Sequence, residues 1–266
     1  MKIRKAAVAN QFYPANADSI NEMISYYNKL LEKHIEDKTF LKLKSKAIIA
    51  PHAGYVYSGF TANIAYRIFT NSDLKRIVVI GPSHRVYLLG SSVGDFDCFE
   101  TPFGNLKYDS VFAKELMQKF NLNFFPDAHY EHSTEVQMPF IKRYLDVEVV
   151  EIVYGDENPA NLVSIIEYVL KKDSMGVVIS TDLSHFYDID KAKELDDICI
   201  DAIAKQNPDR LHKGCEACGK IGVEAMIIAA KNLGLKPFIL DYRTSADVSG
   251  DRSRVVGYLS VAFIDS

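Results

Sequence analysis

The stretch that decides the fold is IIAPHAGYVYSG, residues 48–59, in which a short apolar run ends in a proline and a histidine, His52. Two further apolar runs end in a similar way. RIVVIGPSHR (76–85) places His84 after a β-branched run, and GVVISTDLSHF (176–186) places Asp182 and His185 after another. Short continuous apolar runs of this kind are typical of strands buried on both faces of a sheet.

The segments between these runs have the apolar spacing of helices, as in GFTANIAYRIF (59–69) and IGVEAMIIAAKNLG (221–234). Strands that alternate with helices predict βαβ units. No linker rich in Pro, Gly or Ser divides the chain. We therefore predict a single α/β domain over residues 1–266, with three layers and a mostly parallel central sheet covered by helices on both faces. Ligands of such sheets bind beyond the carboxyl ends of the strands, where the polar residues above lie.

The composition excludes several classes of function. The 31 Lys and Arg residues against 35 Asp and Glu residues give a net charge of −4, which offers no electrostatic basis for binding nucleic acid or anionic lipid. No apolar run approaches the ~20 residues of a membrane span, and the start of the chain lacks the apolar core of a signal peptide. We therefore expect a soluble, cytoplasmic protein.

The four cysteines are too few for a disulfide framework in a chain of 266 residues. Cys215 and Cys218 form CEAC, which has the spacing of a redox motif or of half a zinc site. Cys98 and Cys199 supply no second pair in sequence. The pattern therefore predicts thiols that are buried near the start of a helix.

Polar side chains at the predicted strand ends form a candidate site. Two imidazoles with one carboxylate are the ligand set of non-heme Fe(II) sites with open positions, and the same set suits a hydrolytic zinc ion. A further histidine would act as a general acid or base near neutral pH. The residues that we place in this site are His52, His84, His132, Asp182, His185, Asp247 and Asp251.

The segment PDAHYEHSTEVQMPF (126–140) is a second dense patch of polar residues, with His129, Glu131, His132 and Glu135 close together. Two interpretations remain open. One is a capped helix start with solvated charges. The other is an element that brings His132 to the wall of the cleft, as a support or as a substrate contact.

Four other residues are candidates for binding a substrate. Tyr55 and Tyr57 follow His52 closely and are expected to form pocket walls. GPSH (81–84), which includes Ser83, follows a strand and would present backbone N–H groups to an anion. SGDRSR (249–254) indicates a turn held by an ion pair, or arginines such as Arg252 that meet an acidic substrate. The chain lacks the glycine spacing of nucleotide-binding loops and the G-x-S-x-G elbow of α/β-hydrolases.

Five motifs in order identify a resemblance: PHAGYVYSG, GPSHR, EHSTEVQMPF, STDLSHF and CGKIGVEAMI. With them the sequence resembles the Memo family, whose fold is similar to that of the class III extradiol ring-cleaving dioxygenases. The resemblance extends from AVANQFYP (7–14) to the final strand, which is nearly the whole chain.

The resemblance implies a role for each matching residue. His52 and His84 match the metal-binding histidines, and His185 matches the catalytic histidine, with Asp182 beside it in the same cleft. His132 matches the histidine of the EHS element, which we assign to catalysis with His185 and Asp182.

The chain departs from the animal Memo proteins at the third ligand. Those proteins place a cysteine where this chain has Val248. We take Asp247 as the third ligand, with Asp251 or Asp182 as alternatives. Because a thiolate favours Cu(I), we expect its loss to shift the preference to Fe(II) or Zn(II).

The resemblance implies a metal-dependent enzyme of dioxygenase type that uses Fe(II), with an unidentified small-molecule or peptide ligand. Zn(II) with metal-assisted hydrolysis is one alternative. A second is a scaffold protein that binds a peptide or protein partner in the same cleft without a metal. A homo-oligomer and partners from a radical-enzyme pathway are further expectations from the resemblance.

Overall fold

The apolar runs that end in His52, His84 and Asp182 lie side by side in one large sheet. The computed structural model describes residues 1–34 and 39–265. Its α-helices are Ala17–His34 (α1), Tyr55–Phe69 (α2), Ser110–Phe120 (α3), His132–Glu135 (α4), Gln137–Tyr144 (α5), Pro159–Leu170 (α6), Ile189–Ala204 (α7), Lys220–Leu233 (α8) and Ala246–Ser249 (α9). Short 3-10 helices span Thr39–Lys42, Pro126–His129 and Pro208–Lys213.

The strands belong to a large sheet and a small one. They are Ile3–Arg4 (β1), Ala47–Ala50 (β2), Arg76–Pro82 (β3), Ser91–Val93 (β4), Cys98–Phe99 (β5), Leu106–Lys107 (β6), Glu148–Tyr154 (β7), Met175–Ser180 (β8), His185–Tyr187 (β9), Leu235–Thr244 (β10) and Val255–Asp265 (β11). The small sheet has the order β1-β5-β6. The large sheet has eight strands in the order β10-β11-β2-β8-β3-β7-β4, with β9 paired to β11.

The large sheet is mixed, so the prediction of an α/β fold is confirmed while that of a mostly parallel sheet is met only at the centre. Strands β2, β8, β3 and β7 are parallel neighbours. Strands β4, β9, β10 and β11 pair antiparallel. Strands β10 and β11 follow each other in the chain with only the short helix α9 between them, so they lack the long crossover that a parallel pair requires.

The register of the central strands aligns their carboxyl ends at one edge. Ala50 pairs with Ser180, and Ile80 pairs with Ile179. Every residue of β2 and β8 is buried, as expected for strands covered on both faces. The loops that follow β2, β3 and β8 therefore leave the sheet beside one another.

The amino-terminal segment is fastened to the short helix α4 by a buried ion pair. The guanidinium group of Arg4 contacts the carboxylate of Glu135, and both side chains are almost fully buried. The same carboxylate accepts hydrogen bonds from the backbone N–H groups of Ala7 and Val8 and from the Tyr13 hydroxyl. One carboxylate thus fixes the position of residues 4–13 against α4.

The cysteines differ from the sequence expectation. Cys199 on α7 and Cys215 in the segment before α8 form a disulfide, with a Cα–Cα distance of 5.0 Å. The expectation of two buried free thiols in CEAC is therefore wrong for Cys215. The partner lies 16 residues away on another element, and sequence spacing does not reveal such a pairing. Among the described residues, Cys98 and Cys218 are free.

None of the helices described here has the length and apolar character needed to cross a membrane.

We predict that Glu135→Gln lowers the free energy of unfolding by about 3–5 kcal/mol, because Arg4 then keeps its buried charge without a compensating partner. Urea denaturation at neutral pH measures this difference. Glu194→Gln is the control, since Glu194 forms an exposed ion pair with Lys191 and its loss should cost less than about 1 kcal/mol. Equal effects of the two substitutions would contradict the prediction.

Candidate metal centre

Three histidines from separate parts of the chain converge at the carboxyl edge of the sheet. His52 follows β2, His84 follows β3, and His132 begins α4. One nitrogen of each ring lies within 4.8 Å of a nitrogen of the other two. The ring centroids are 4.6–5.4 Å apart, with His84 and His132 the closest pair. Among the His, Cys, Asp and Glu side chains that the structure describes, these three form the group that could hold a metal ion.

The carboxylate of Glu131 orients two of the three rings. One of its oxygens lies 3.2 Å from His84 Nδ1 and 2.8 Å from His132 Nδ1. The backbone N–H groups of His84, His132 and Ser133 also donate to this carboxylate. Because Glu131 binds each ring through Nδ1, the Nε2 atoms of His84 and His132 are left for a ligand.

Glu131 keeps its negative charge although it is almost completely buried. Burial alone would raise the pKa of this carboxyl group. The hydrogen bonds from His132 and His84 outweigh burial and hold the pKa of Glu131 far below its ordinary value. The site therefore contains a permanent anion directly behind two of its rings.

A chain of hydrogen bonds fixes the tautomer of His52. The Ser180 hydroxyl donates to the backbone carbonyl of Ser133, so it can only accept from His52 Nδ1, which lies 2.9 Å away. The side-chain amide of Gln137 donates to the same hydroxyl and to the carbonyl of Pro51. The proton of a neutral His52 ring therefore lies on Nδ1, and Nε2 is an acceptor.

Two groups lie against the Nε2 atom of His52. Cys218 Sγ is 3.3 Å away, and burial raises the pKa of this thiol to about 12, so it donates S–H to the ring. Asp182 is 3% exposed; one of its oxygens accepts the backbone N–H of His52, and the other lies 3.9 Å from Nε2. Burial raises the pKa of Asp182 above its ordinary value. A ligand on His52 Nε2 would thus replace a thiol hydrogen bond beside a carboxyl group.

His185 lies at the side of this cluster and is partly exposed. It begins β9, where it pairs with Val256 of β11. A charge on His185 would lower the pKa of both His52 and Asp182, which places its ring in their electrostatic neighbourhood. The next residue, Phe186, has a φ of 66° and a side chain that is 63% exposed. This backbone conformation is rare for an aromatic residue, and such strain occurs most often near functional sites.

The structure does not bring the predicted third ligand to the cluster. The carboxylate of Asp247 accepts hydrogen bonds from the backbone N–H and the hydroxyl of Thr244. Asp247 and Val248 line a groove of about 430 Å³ together with Tyr57. The alternative ligand Asp251 is exposed and accepts bonds from Ser253 within its own turn. Neither aspartate is among the residues that could share a metal ion, and His132 takes the third place.

The four predicted substrate contacts have different positions. Tyr55 is 1% exposed and donates its hydroxyl proton to the carbonyl of Val136, so it is a core residue and not a pocket wall. Tyr57 is 44% exposed and faces the groove. The Ser83 hydroxyl donates to the carbonyl of Val86 in its own turn. Arg252 is exposed.

Two residues that contact the cluster were not assigned a role from the sequence. In the sequence Glu131 stands in a dense polar patch, and that pattern does not distinguish it as the carboxylate that contacts His84 and His132. Cys218 was interpreted as a buried thiol of CEAC, and only the folded chain places it against His52.

His129 belongs to a separate, internal network. Its Nδ1 lies 2.5 Å from Glu151, and its Nε2 lies 2.7 Å from the Ser92 hydroxyl. This order of groups is that of a hydrolytic triad. Ser92 and Glu151 are 0% exposed, however, so no substrate reaches the hydroxyl, and the network joins the segment before α4 to the sheet.

Comparison with known proteins identifies the family of the chain. Residues 4–262 match the family described as Memo-like protein. The chain belongs to the Memo-like family. A MEMO1 family protein of Aquifex aeolicus is 33% identical over 99% of this chain and 100% of its own length. A MEMO1 family protein of Sulfolobus acidocaldarius is 35% identical over the same shares. One from Archaeoglobus fulgidus is 32% identical over 98% of this chain and 99% of its own.

We predict that His52 makes the fold less stable below about pH 6.5. Burial, followed by the nearby His84 and His132, lowers the pKa of His52 well below its ordinary value. The unfolded chain takes up a proton at about pH 6.5 that the folded chain refuses, so stability falls as the pH falls.

Urea denaturation with a chelator present, between pH 7.5 and 5.5, measures this effect. The free energy of unfolding of the wild type should fall by about 1 kcal/mol per pH unit more than that of His52→Gln below pH 6.5. His212→Gln, at a side chain that is 57% exposed, is the control and should retain the slope of the wild type. An unchanged slope in His52→Gln would contradict the prediction.

Proposed function

We propose that this protein is a metal-dependent enzyme in which His52, His84 and His132 hold the ion in a cleft like that of the extradiol dioxygenases. The observation that supports this proposal most directly is the convergence of three imidazole nitrogens within 4.8 Å of one another. Fe(II) is the ion that we propose, by the resemblance to dioxygenases. The same three nitrogens suit Zn(II).

The donor set fits a divalent ion by its protonation as well as by its position. A metal needs neutral imidazoles, and the lowered pKa of His52 keeps this ring neutral. Each ring directs its Nδ1 to a protein oxygen, on Ser180 for His52 and on Glu131 for the other two. Hydrogen bonds of this kind fix the rings of metal-binding histidines and increase their basicity.

Asp182 and His185, which lie beside the cluster, would transfer protons. A metal ion bound there would supply a Lewis acid with open positions for oxygen atoms of a substrate. Asp182, whose pKa burial raises, takes up a proton more readily than an exposed carboxylate. One Asp182 oxygen is held by the backbone N–H of His52, and the other, 3.9 Å from His52 Nε2, would give or take a proton. His185, which is partly exposed, would exchange that proton with solvent.

We predict that protein purified without chelators contains about one metal ion per chain and that His52→Ala with His84→Ala removes it. Elemental analysis by mass spectrometry measures the content. His132→Ala separates a site of three histidines from one that relies on Asp247, because only the former loses its metal. Asp247→Asn is the matched control and should keep the wild-type content.

Each result of this experiment has a distinct meaning. Iron that is lost with the histidines supports the dioxygenase-like proposal. Zinc in the same place supports metal-assisted hydrolysis. A chain that contains no metal and takes up neither added Fe(II) nor Zn(II) contradicts the proposal and favours a binding protein.

We further predict that Glu131→Gln weakens the affinity for Zn(II) by about 10–100-fold, because the substitution removes the anion that orients His84 and His132. Competition against a chromophoric chelator measures this affinity. Glu157→Gln, at a carboxylate that contacts Ser91 away from the cluster, is the control and should bind Zn(II) as the wild type does. Equal affinities for all three proteins would show that Glu131 has no such role.

A further inference from the structure

Tyr258 differs from the other buried tyrosines of the described residues. Six of them use the hydroxyl in a hydrogen bond: Tyr13 with Glu135, Tyr27 with Tyr55, Tyr55 with Val136, Tyr66 with Gln137, Tyr108 with Gly94, and Tyr154 with Gly222. Tyr258 is only 2% exposed, and its hydroxyl makes no hydrogen bond to the residues that the structure describes. The hydroxyl is not among the buried side-chain atoms that lack a partner in that part of the chain, so it reaches solvent. Most buried side chains satisfy their polar group within the protein, so a hydroxyl that only solvent reaches is open to a ligand.

The backbone of β11 places Tyr258 beside the segment that follows Asp182. The preceding residue, Gly257, exchanges hydrogen bonds with Leu183 and Ser184, directly after Asp182. Strand β11 pairs with β2 in an antiparallel register in which Val261 lies opposite Ile49. That pairing ends at Val261, and toward Tyr258 the strand instead adjoins the segment that follows Asp182.

The electrostatic surroundings give the same location. Burial, followed by the charges of Asp182 and Tyr57, raises the pKa of the Tyr258 hydroxyl above its ordinary value. The hydroxyl therefore keeps its proton at neutral pH and is available as a donor. Asp182 also lies against His52, so Tyr258 and His52 adjoin the same carboxyl group.

We propose that the Tyr258 hydroxyl donates a hydrogen bond to an anionic oxygen, a phenolate or carboxylate, of the molecule that binds beside His52, His84 and His132. This inference rests on the proposed function, since the metal and the hydroxyl would hold the same ligand from two sides. A donor without a protein partner exchanges solvent for such a ligand when it binds, and hydrogen bonds to charged groups are the stronger ones.

Thermal unfolding tests whether Tyr258 has a structural role. Tyr108 is a matched buried tyrosine whose hydroxyl donates to the Gly94 carbonyl and accepts from the Glu151 N–H group. Tyr108→Phe should lower the melting temperature by roughly 2–4 °C or more. Tyr258→Phe removes no hydrogen bond of the protein, so its melting temperature should stay within about 1 °C of the wild type. A decrease as large as that of Tyr108→Phe would overturn the proposal.

Ligand binding tests the proposed role directly. Zn(II)-loaded wild type, Tyr258→Phe and Tyr108→Phe are first matched for zinc content and then titrated with 4-nitrocatechol, whose visible absorption reports binding. We expect about a tenfold or greater loss of affinity in Tyr258→Phe and no change in Tyr108→Phe.

The outcomes separate this inference from the proposed function. A wild type that takes up no zinc and no iron overturns both. Normal zinc content with equal nitrocatechol affinity in wild type and Tyr258→Phe overturns only the role of Tyr258. No binding of nitrocatechol by the zinc-loaded wild type also overturns that role, because the cleft then offers no donor to a phenolate.

Discussion

The arrangement of the site depends on the buried carboxylate of Glu131. Its oxygens contact the Nδ1 atoms of His84 and His132 and the backbone N–H groups around them. A carboxylate without those donors would be very costly to bury, and rings without the carboxylate would be free to turn. The anion and the two imidazoles therefore stabilise one another, and the loop after β3 and the start of α4 are held together as a result.

Glu135, the second acid of the same segment, connects α4 to a different part of the chain. Glu135 ends α4 and binds Arg4 and the backbone of residues 7 and 8. Four residues of helix thus join the histidine cluster, through Glu131, to the amino-terminal segment, through Glu135. The structure keeps one part of each interpretation of the EHSTE patch: Glu131 caps the helix, and His132 lies in the cluster. Its charges are buried and paired, in contrast to a solvated helix start.

The sequence was sufficient to predict what depends on local pattern. The apolar runs ending at Ala50, Pro82 and Ser180 became parallel strands, and their common edge brought His52 and His84 together. The local pattern does not predict contacts between segments that lie far apart in the chain. Asp247 lies close in sequence to the position expected for the third ligand, but its carboxylate accepts a hydrogen bond from the backbone N–H of Thr244. The Cys199–Cys215 pairing and the contact of Cys218 with His52 likewise depend on how α7 and α8 pack.

The charges of the cleft explain why such a site tolerates burial. The Glu131 anion places one negative charge behind the histidines, and a buried charge is stabilised by an opposite charge placed near it. The Cys218 thiol donates a hydrogen bond to His52 Nε2. This bond is a weak substitute for a positive charge, since a thiol is a poor donor. A divalent cation would replace that hydrogen bond. Bound to His84 and His132, it would also offset the charge of Glu131, which contacts both rings. The residues that orient the histidines are therefore also the ones whose charge would stabilise a bound ion.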